Sequence, residues 1–394
     1  DLKNGGTDAL GQSRLAFIKG DRSQETSTFR TRQSRLGSIV NSSPAYVGEF
    51  TLSNWPSTDG FGVAGDRLTN FRNRVSNRDG VFYVGANDGM LHGFRASDGK
   101  EVLAYIPDFV YSTASDAGLH YLTDRAYKHR YYVDLSLQLA DVYTKGKNDG
   151  GDVSTSKAWR SVVIGGGRAG AKGIFALDVT NPADFTTLKA GKAALWEFTA
   201  ADDARLGNIM TPPVVSLATW GGDTRWTVFV NNGYNSSTGS TGFFMLDFEG
   251  GLDGTWSSSD YQYVEFKSGG TGLSAMNVLD TSGDYLADRV YAGDLDGNVW
   301  VATNSSGSWA SAYSQAAAPV ALFKADAAIT AAPIVGANTE VARTTANVPN
   351  LMVYVGTGQY LNLGDLTTSG RQYFYGVWDS GPLKIGMTKA DLVE

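Results

Sequence analysis

A short apolar unit recurs five times along the chain and constrains the fold more than any other sequence feature. Each copy has one apolar strand, a turn of small residues and a second strand that ends in a polar hairpin. Such a unit buries only one face by itself, so neighbouring copies must stack to form a continuous core. The copies occupy residues 81–106, 161–182, 227–251, 288–307 and 351–381.

The spacing between copies is irregular, which favours four-stranded blades with loop insertions of different lengths. Residues 87–89 form an Asn-Asp-Gly sequence between alternating strands, which is a strong hairpin signal. Small residues with proline precede three copies and predict entry strands at 42–48, 211–218 and 331–337. We therefore predict an all-β fold, a modified β-propeller of about seven four-stranded blades, with a β-sandwich as the alternative.

No segment has the composition of a domain linker, so we expect one domain although the chain has 394 residues. Residues 1–35 are expected to form an N-terminal lead-in that packs on the propeller, and residues 36–394 to form the propeller domain. Inside the propeller, Leu68, Phe71 and Val75 have helical spacing and predict a short helix.

The charge and the cysteine content exclude several classes of site. The net charge is −7 and no basic stretch stands out, so we expect no nucleic-acid partner. The absence of cysteine excludes disulfides, thiolate metal ligands and cysteine nucleophiles. The chain begins without methionine, signal peptide or membrane-length apolar run, so we interpret it as a segment of a longer protein that does not itself insert into a membrane.

An acidic stretch between two apolar runs is the strongest candidate for a metal site. It places Asp280, Ser282, Asp284, Leu286 and Asp288 at alternate positions, with Leu286 offering its backbone carbonyl. Oxygen ligands at alternate positions are what a loop curled around Ca²⁺ supplies. The three carboxylates repel one another unless a cation joins them. The spacing alone supports a calcium loop and a solvated acidic hairpin equally.

Six segments of the chain, in one order, resemble the C-terminal propeller of the PilC/PilY family of adhesins at the tips of bacterial type IV pili. The segments are residues 20–25, 29–48, 82–94, 129–143, 159–182 and 230–236. The resemblance covers nearly the whole chain and implies a propeller on the outer surface of a Gram-negative bacterium, at the pilus tip. It also implies roles in pilus biogenesis, in adhesion and in calcium-dependent control of pilus extension against retraction. The implied partners are tip or minor pilins, with a host-cell receptor as a further hypothesis.

The calcium loop of that family has the form Asp-x-[Asp/Asn]-x-Asp-Gly-x-x-Asp, so the resemblance assigns the same five residues to Ca²⁺ and favours a calcium loop over an empty hairpin. This chain departs from the pattern at two positions. Ser282 is a neutral and weaker ligand than Asp or Asn. Tyr285 stands where the pattern has glycine, at a turn that requires a positive φ.

The tripeptide Lys19-Gly20-Asp21 lies where the family can show Arg-Gly-Asp, the sequence that integrins recognise. Lysine keeps the positive charge but lacks the two-pronged guanidinium of arginine. A turn that opens the domain is therefore the favoured interpretation of Lys19, Gly20 and Asp21, and an integrin-type motif is the alternative.

The alternative function is that of an enzyme, because propeller dehydrogenases that use pyrroloquinoline quinone have similar glycine-rich hairpins. Those enzymes need a calcium ion beside the quinone and a catalytic aspartate. They usually carry a tryptophan after the Asp-Gly turn, whereas residues 101–105 contain none. The glycine-rich residues 165–173 lack the Lys-Ser/Thr ending of a phosphate loop and predict a hairpin. We identify no catalytic residues and predict that the chain is not an enzyme.

Overall fold

Antiparallel sheets built from strands that follow one another in the chain make up most of this computed structural model. The structure describes residues 1–49, 68–367 and 370–393. The chain divides into two compact units, residues 1–202 with 251–255 and residues 203–250 with 256–394. The predicted all-β class is confirmed, since the described helices are few and short. No helix in these ranges combines the length and apolar character needed to cross a membrane.

Two four-stranded sheets form the first unit, and in each sheet the strands pair in chain order. The first sheet contains β1 (Ala45–Val47), β2 (Val81–Gly85), β3 (Leu91–Arg95) and β4 (Glu101–Tyr105). The second contains β5 (Gln138–Thr144), β6 (Ala158–Gly166), β7 (Gly173–Asp178) and β8 (Ala194–Thr199). The helices of this unit are α1 (Asp8–Ile18), α2 (Leu68–Val75), α3 (Gly118–Tyr121) and α4 (Ala190–Ala193).

The second unit contains the other fifteen described strands. A four-stranded sheet comprises β9 (Val214–Trp220), β10 (Asp223–Asn231), β11 (Thr241–Asp247) and β12 (Tyr261–Lys267). The next strands are β13 (Leu273–Leu279), β14 (Arg289–Asp294), β15 (Asn298–Ser305), β16 (Ser308–Ser311), β17 (Ser314–Gln315), β18 (Ala318–Pro319) and β19 (Phe323–Lys324). The last are β20 (Ile334–Ala337), β21 (Leu351–Gly356), β22 (Phe374–Asp379) and β23 (Met387–Thr388).

These later strands form three further sheets. One has the order β13-β14-β15-β19-β23, with β16 also paired to β15; β17 and β18 form a hairpin; and β20-β21-β22 form a three-stranded sheet. The pairing of β19 with β23 is parallel. Short 3₁₀ helices lie at Asp108–Val110, Pro182–Asp184, Thr187–Lys189, Gly250–Asp253, Thr345–Asn347, Leu363–Thr367, Gly381–Leu383 and Lys389–Asp391.

The repeat predicted from the sequence corresponds to the sheets. Each of the five copies falls in a different sheet, and its core is the pair β2–β3, β6–β7, β10–β11, β14–β15 or β21–β22. The three predicted entry strands are β1, β9 and β20. The described part of the chain thus has five sheets of three or more strands, where the sequence predicts about seven blades.

The local predictions around these strands are also confirmed. Leu68, Phe71 and Val75 are buried on one face of α2, as their helical spacing predicts. Residues 165–173 form the hairpin between β6 and β7 and no phosphate loop.

Apolar side chains from the lead-in share the core of the first unit. Phe17, Ile18 and Phe29 are buried in one cluster with Val81 of β2 and Phe175 of β7. Helix α1 is therefore held by burial of its C-terminal end rather than by its length alone. The domain boundary after residue 35 stays a prediction.

Aromatic rings dominate one core cluster of the second unit. The ring centroids of Phe266 and Trp300 lie 5.3 Å apart in a stacked arrangement, and those of Phe229 and Trp309 lie 5.5 Å apart edge to face. Phe243 is fully buried between them, with its centroid 5.9 Å from that of Phe266. Rings of this size each bury a large apolar area, so this cluster contributes strongly to the stability of the unit.

We expect Phe243→Ala to lower the free energy of unfolding by about 3–5 kcal/mol, because it leaves a cavity in a packed aromatic core. Urea denaturation followed by tryptophan fluorescence measures the change. The matched control is Phe374→Ala on β22, where the phenylalanine is 71% exposed; it should change stability by less than about 0.5 kcal/mol. Equal effects of the two substitutions would contradict the assigned core.

Candidate metal centre

The nine residues 280–288 form the loop between β13 and β14. The two strands are antiparallel, and Leu279 pairs with Arg289 at the base of the loop. The Asp288 amide donates a 2.8 Å hydrogen bond to the Leu279 carbonyl and closes this base. The sequence prediction of an acidic loop between two apolar strands is therefore correct in its position.

The carboxylate of Asp280 is the centre around which the loop curls. Its Oδ1 accepts hydrogen bonds from the amides of Ser282 and Gly283, at 3.1 and 2.6 Å. Its Oδ2 accepts a 2.7 Å hydrogen bond from the amide of Tyr285. Partial burial alone would raise the pKa of Asp280, but the bonds from Gly283 and Tyr285 outweigh this and hold the pKa below its ordinary value. These hydrogen bonds therefore favour the ionised form of Asp280.

Two residues of the loop adopt a left-handed backbone. Gly283 has a φ of 81° and Tyr285 a φ of 68°. The sequence predicts a glycine-type conformation at position 285, and the structure confirms it although the residue is tyrosine. A residue with a Cβ atom pays about 1–2 kcal/mol in this region. The Tyr285 side chain is 43% exposed.

The other two carboxylates of the loop are held by nearby donors. Asp284 Oδ1 accepts a 2.9 Å hydrogen bond from the Leu286 amide. The Asp288 carboxylate accepts bonds from both the amide and the hydroxyl of Thr281, at 2.9–3.1 Å. Sequence reasoning missed Thr281, because threonine at the second loop position carries no metal-ligand signal.

The loop is also tied to the neighbouring sheet of the same unit. The Ala287 amide donates a 2.7 Å hydrogen bond to the carbonyl of Leu217 on β9, and Leu286 and Leu217 form an isolated parallel bridge. The Asn304 amide of β15 bonds to the Asp288 carbonyl at 2.9 Å. A change in the loop therefore acts directly on β9 and β15.

The predicted ligands lie in one loop, but their side chains do not converge in advance. In the described ranges, no group of three or more His, Asp or Glu side chains has the arrangement of a metal cluster. Three carboxylates, the Ser282 hydroxyl and the Leu286 carbonyl nevertheless make five hard oxygen donors, the type that Ca²⁺ prefers. The donor set and the curl around Asp280 fit a calcium ion, provided that Asp284 and Asp288 turn away from their present hydrogen-bond donors.

The tripeptide Lys19-Gly20-Asp21 forms the turn that follows α1. The Lys19 amide caps the helix by bonding to the Leu15 carbonyl, and Gly20 has a φ of 101°. The Asp21 carboxylate is exposed and accepts bonds from the amide and hydroxyl of Ser23. The role of this tripeptide as an integrin-type motif stays a prediction.

The three histidines have local partners. The ring of His92 lies 2.5 Å from Glu101 and 3.1 Å from Asp88. The ring of His120 lies 2.6 Å from Asp1. The ring of His129 lies 2.8 Å from the Ser38 hydroxyl. Each histidine ring is thus used in a contact that stabilises the fold.

Comparisons with known proteins agree with this architecture. A family model described as the PilY1 beta-propeller domain matches residues 36–391. The type IV pilus biogenesis factor PilY1 of Pseudomonas aeruginosa strain PAK is 36% identical over 400 residues, which cover 96% of this chain and 31% of that protein. A PilY1 homolog of Xylella fastidiosa is 33% identical over 401 residues, covering 98% of this chain and 29% of that protein.

Among solved structures, the crystal structure of the Pseudomonas aeruginosa PilY1 C-terminal domain is similar, with a TM-score of 0.59 and 29% identity. The match covers 85% of this chain and 64% of that chain. The predicted propeller and the resemblance to the PilC/PilY family are confirmed, and the β-sandwich alternative is set aside. The chain spans about a third of the length of the curated relatives it matches.

The pKa of Asp280 predicts how the loop responds to acid. The unfolded chain titrates near the ordinary aspartate value of about 3.9. Because the folded pKa is lower, the stabilisation from Asp280 is fully present above about pH 3.9 and is lost as pH falls through the folded pKa. An NMR titration should show the Asp280 carboxyl carbon and the Gly283 and Tyr285 amide protons changing together below that value.

In the control Asp280→Asn, those amide protons should lose this common transition. A carboxyl carbon of Asp280 that titrates at or above about pH 3.9 would contradict the assignment of Asp280 as the centre of the loop.

Proposed function

The chain belongs to the PilY1 β-propeller family, and we propose that it is the calcium-binding C-terminal module of a type IV pilus biogenesis factor. In this role it regulates pilus extension against retraction and supports adhesion to surfaces or host cells. Its partners are other components of the pilus, with tip or minor pilins as the nearest candidates, and it acts outside the cell at the pilus tip. The relatives that support the role are named as pilus biogenesis factors.

The observation that carries the calcium proposal is the curl of residues 280–288 around the Asp280 carboxylate. A loop whose backbone is already curled loses less conformational entropy when an ion binds, although Asp284 and Asp288 must still turn towards it. The left-handed conformation at Tyr285 supports the same conclusion, because this is the position where a calcium loop turns most sharply.

Bound calcium would be held by the carboxylates of Asp280, Asp284 and Asp288, the Ser282 hydroxyl and the Leu286 carbonyl. The ion would neutralise the repulsion among three acidic groups and order the loop. Because Ala287 bonds to Leu217, a more ordered loop would also fix the adjacent end of β9. A pilus partner that contacts this surface would then bind according to the calcium level.

Catalysis by a quinone-dependent dehydrogenase is the less favoured function. The relatives that cover nearly all of this chain are pilus biogenesis factors rather than enzymes. We therefore propose a binding and regulatory role without a reaction.

We expect isothermal titration calorimetry to find one calcium site with a dissociation constant between about 10⁻⁶ and 10⁻³ M. Asp280→Ala and Asp288→Ala should each abolish the heat of binding, because each removes a charged ligand. The matched control is Asp223→Ala on β10, whose side chain is 76% exposed in an ion pair with Arg225; it should bind calcium like the wild type. No heat with the wild-type chain, or full binding by both loop variants, would refute the calcium site.

We expect Tyr285→Gly to change calcium affinity by less than about 3-fold, because the left-handed backbone is already present without the ion and its strain is common to both states. The control Tyr285→Ala removes the ring but keeps the Cβ atom, so its affinity should stay near that of the wild type. Weaker binding by both variants would mean that the ring stabilises the bound loop. A gain of about 5-fold or more by Tyr285→Gly alone would contradict a left-handed backbone in the ion-free loop.

The same variants test the regulatory role in a bacterium that carries the full-length protein. Tyr285→Gly should leave the calcium level at which piliation responds near that of the wild type, and Asp288→Ala should hold piliation in its calcium-free state. Lys19→Ala should leave the response unchanged. If calcium affinity changes while piliation does not, the ion has a structural function only.

A further inference from the structure

A pocket of about 500 Å³ opens in the first unit between the end of α1, residues 30–38 and the turn after β2. Its wall contains three arginines, Arg30, Arg32 and Arg35, and one carboxylate, that of Asp88. A positively charged wall is unexpected in an acidic chain. The hydrogen bonds of each charged group show which charges remain available to bind a ligand.

Arg32 is fully used within the protein. Its Nε lies 2.8 Å from a Glu25 carboxylate oxygen. Its two terminal nitrogens donate to the carbonyls of Phe17 and Asp21, at 2.6 and 2.7 Å. Arg32 is buried and paired, so its role is to hold the end of α1 in place.

Arg30 has no such partner. Its Nε donates a 2.5 Å hydrogen bond to the Leu122 carbonyl, and its guanidinium lies over the ring of Tyr127 at 4.3 Å. In the described part of the chain, no carboxylate pairs with it and no group accepts from its two terminal nitrogens. Burial of part of the side chain lowers the pKa of Arg30, while the charge of Glu25 acts in the opposite direction without forming an ion pair with it. An anion from outside would give the guanidinium a direct partner.

Arg35 presents a second unpaired guanidinium. Its Nε donates to the Gly20 carbonyl at 3.0 Å, and no carboxylate within the described ranges forms an ion pair with it. A single hydrogen bond at Nε fixes the plane of the group and leaves the terminal nitrogens available. Two arginines held in this way can bind one oxyanion with several charge-assisted hydrogen bonds.

Asp88 is committed elsewhere and does not neutralise these arginines. Its carboxylate accepts a 2.6 Å hydrogen bond from the Gly37 amide and lies 3.1 Å from the ring of His92. Gly37 packs so closely on this turn that a Cβ atom there would lie 2.4 Å from the Asp88 amide nitrogen. Asp88 therefore fixes the rim of the pocket.

The remaining wall is mixed. Ile18, Leu36, Leu122 and the Tyr127 ring form its apolar part, and Gln33 and Asn87 are among its polar residues. The volume falls within the range of small-molecule sites, about 300–1,000 Å³. A bare inorganic ion would leave most of this space and all of the apolar surface unused. We propose that the pocket binds the oxyanion of a small ring-bearing organic acid, with Arg30 and Arg35 on the carboxylate, sulfate or phosphate and the ring against the apolar wall.

The test is a titration with acids that share one scaffold: glucuronate, glucose 6-sulfate and glucose 6-phosphate, with glucose as the neutral control. NMR shift changes report binding, and the three acids identify the preferred oxyanion. At least one acid should bind while glucose does not, and added sodium chloride should weaken the binding.

Arg30→Gln and Arg35→Gln should each weaken binding of the acid about 10- to 100-fold, through the loss of charge-assisted hydrogen bonds. Arg30→Lys keeps the positive charge but lacks the two-pronged guanidinium, so it should bind the acid with an intermediate affinity. The matched control is Arg343→Gln, an exposed arginine in the second unit, which should bind like the wild type. If Arg30→Gln does not fold, Arg35→Gln provides the test, because Arg35 is exposed and its replacement should not affect folding.

Three results would overturn the proposal: no binding by any of the acids, equal binding by glucose, or acid binding that neither glutamine variant weakens.

Discussion

The antiparallel pairing of consecutive strands is the interaction on which the rest of this structure depends. In the three four-stranded sheets every strand pairs with its neighbour in the chain, so each ladder of hydrogen bonds closes through a local turn. A ladder of this kind fixes both ends of a loop whatever the loop contains. The pair Leu279–Arg289 does this for residues 280–288, and the loop can therefore carry three carboxylates without disturbing the sheet.

Buried charged side chains with hydrogen-bond partners inside the protein stabilise the fold, whereas those without a partner of opposite charge are candidates for ligand binding. Asp379 is fully buried, yet it accepts hydrogen bonds from the hydroxyls of Tyr291 and Tyr313. Asp294 is equally buried and accepts from the indole of Trp300 at 2.8 Å. Such pairs stabilise the fold only if they stay complete, which leaves them nothing to offer a ligand. Arg30 differs because no carboxylate of the described residues forms an ion pair with it.

The sequence could predict the strands and the acidic loop because both depend on local patterns. Alternating apolar residues and Asn-Asp-Gly turns identify hairpins, and the alternate oxygen donors identify the loop. The parallel pair of β19 with β23 joins residues some sixty positions apart, from Phe323 to Met387, and no local pattern predicts it. The sequence does not predict the Arg30 pocket for the same reason, since the pocket depends on which distant groups the folded chain brings together. The Thr281 contact with Asp288 is local, but threonine carries no metal-ligand signal.

Whether the proposed calcium ion would act as a switch depends on which hydrogen bonds it would displace. A ligand shifts an equilibrium only by the difference between its affinities for the two states. The curl around Asp280 is already stabilised by backbone amides, so an ion that merely kept this curl would act as a structural staple. The difference between states must come from Asp284 and Asp288, which are bonded to Leu286 and Thr281. Recruiting Asp288 to the ion releases Thr281 at the end of β13, while Asn304 of β15 still holds the Asp288 carbonyl. The backbone of Asp288 is anchored on β15 while its side chain can turn. Asp288 is therefore the group through which the proposed calcium binding would change the sheet.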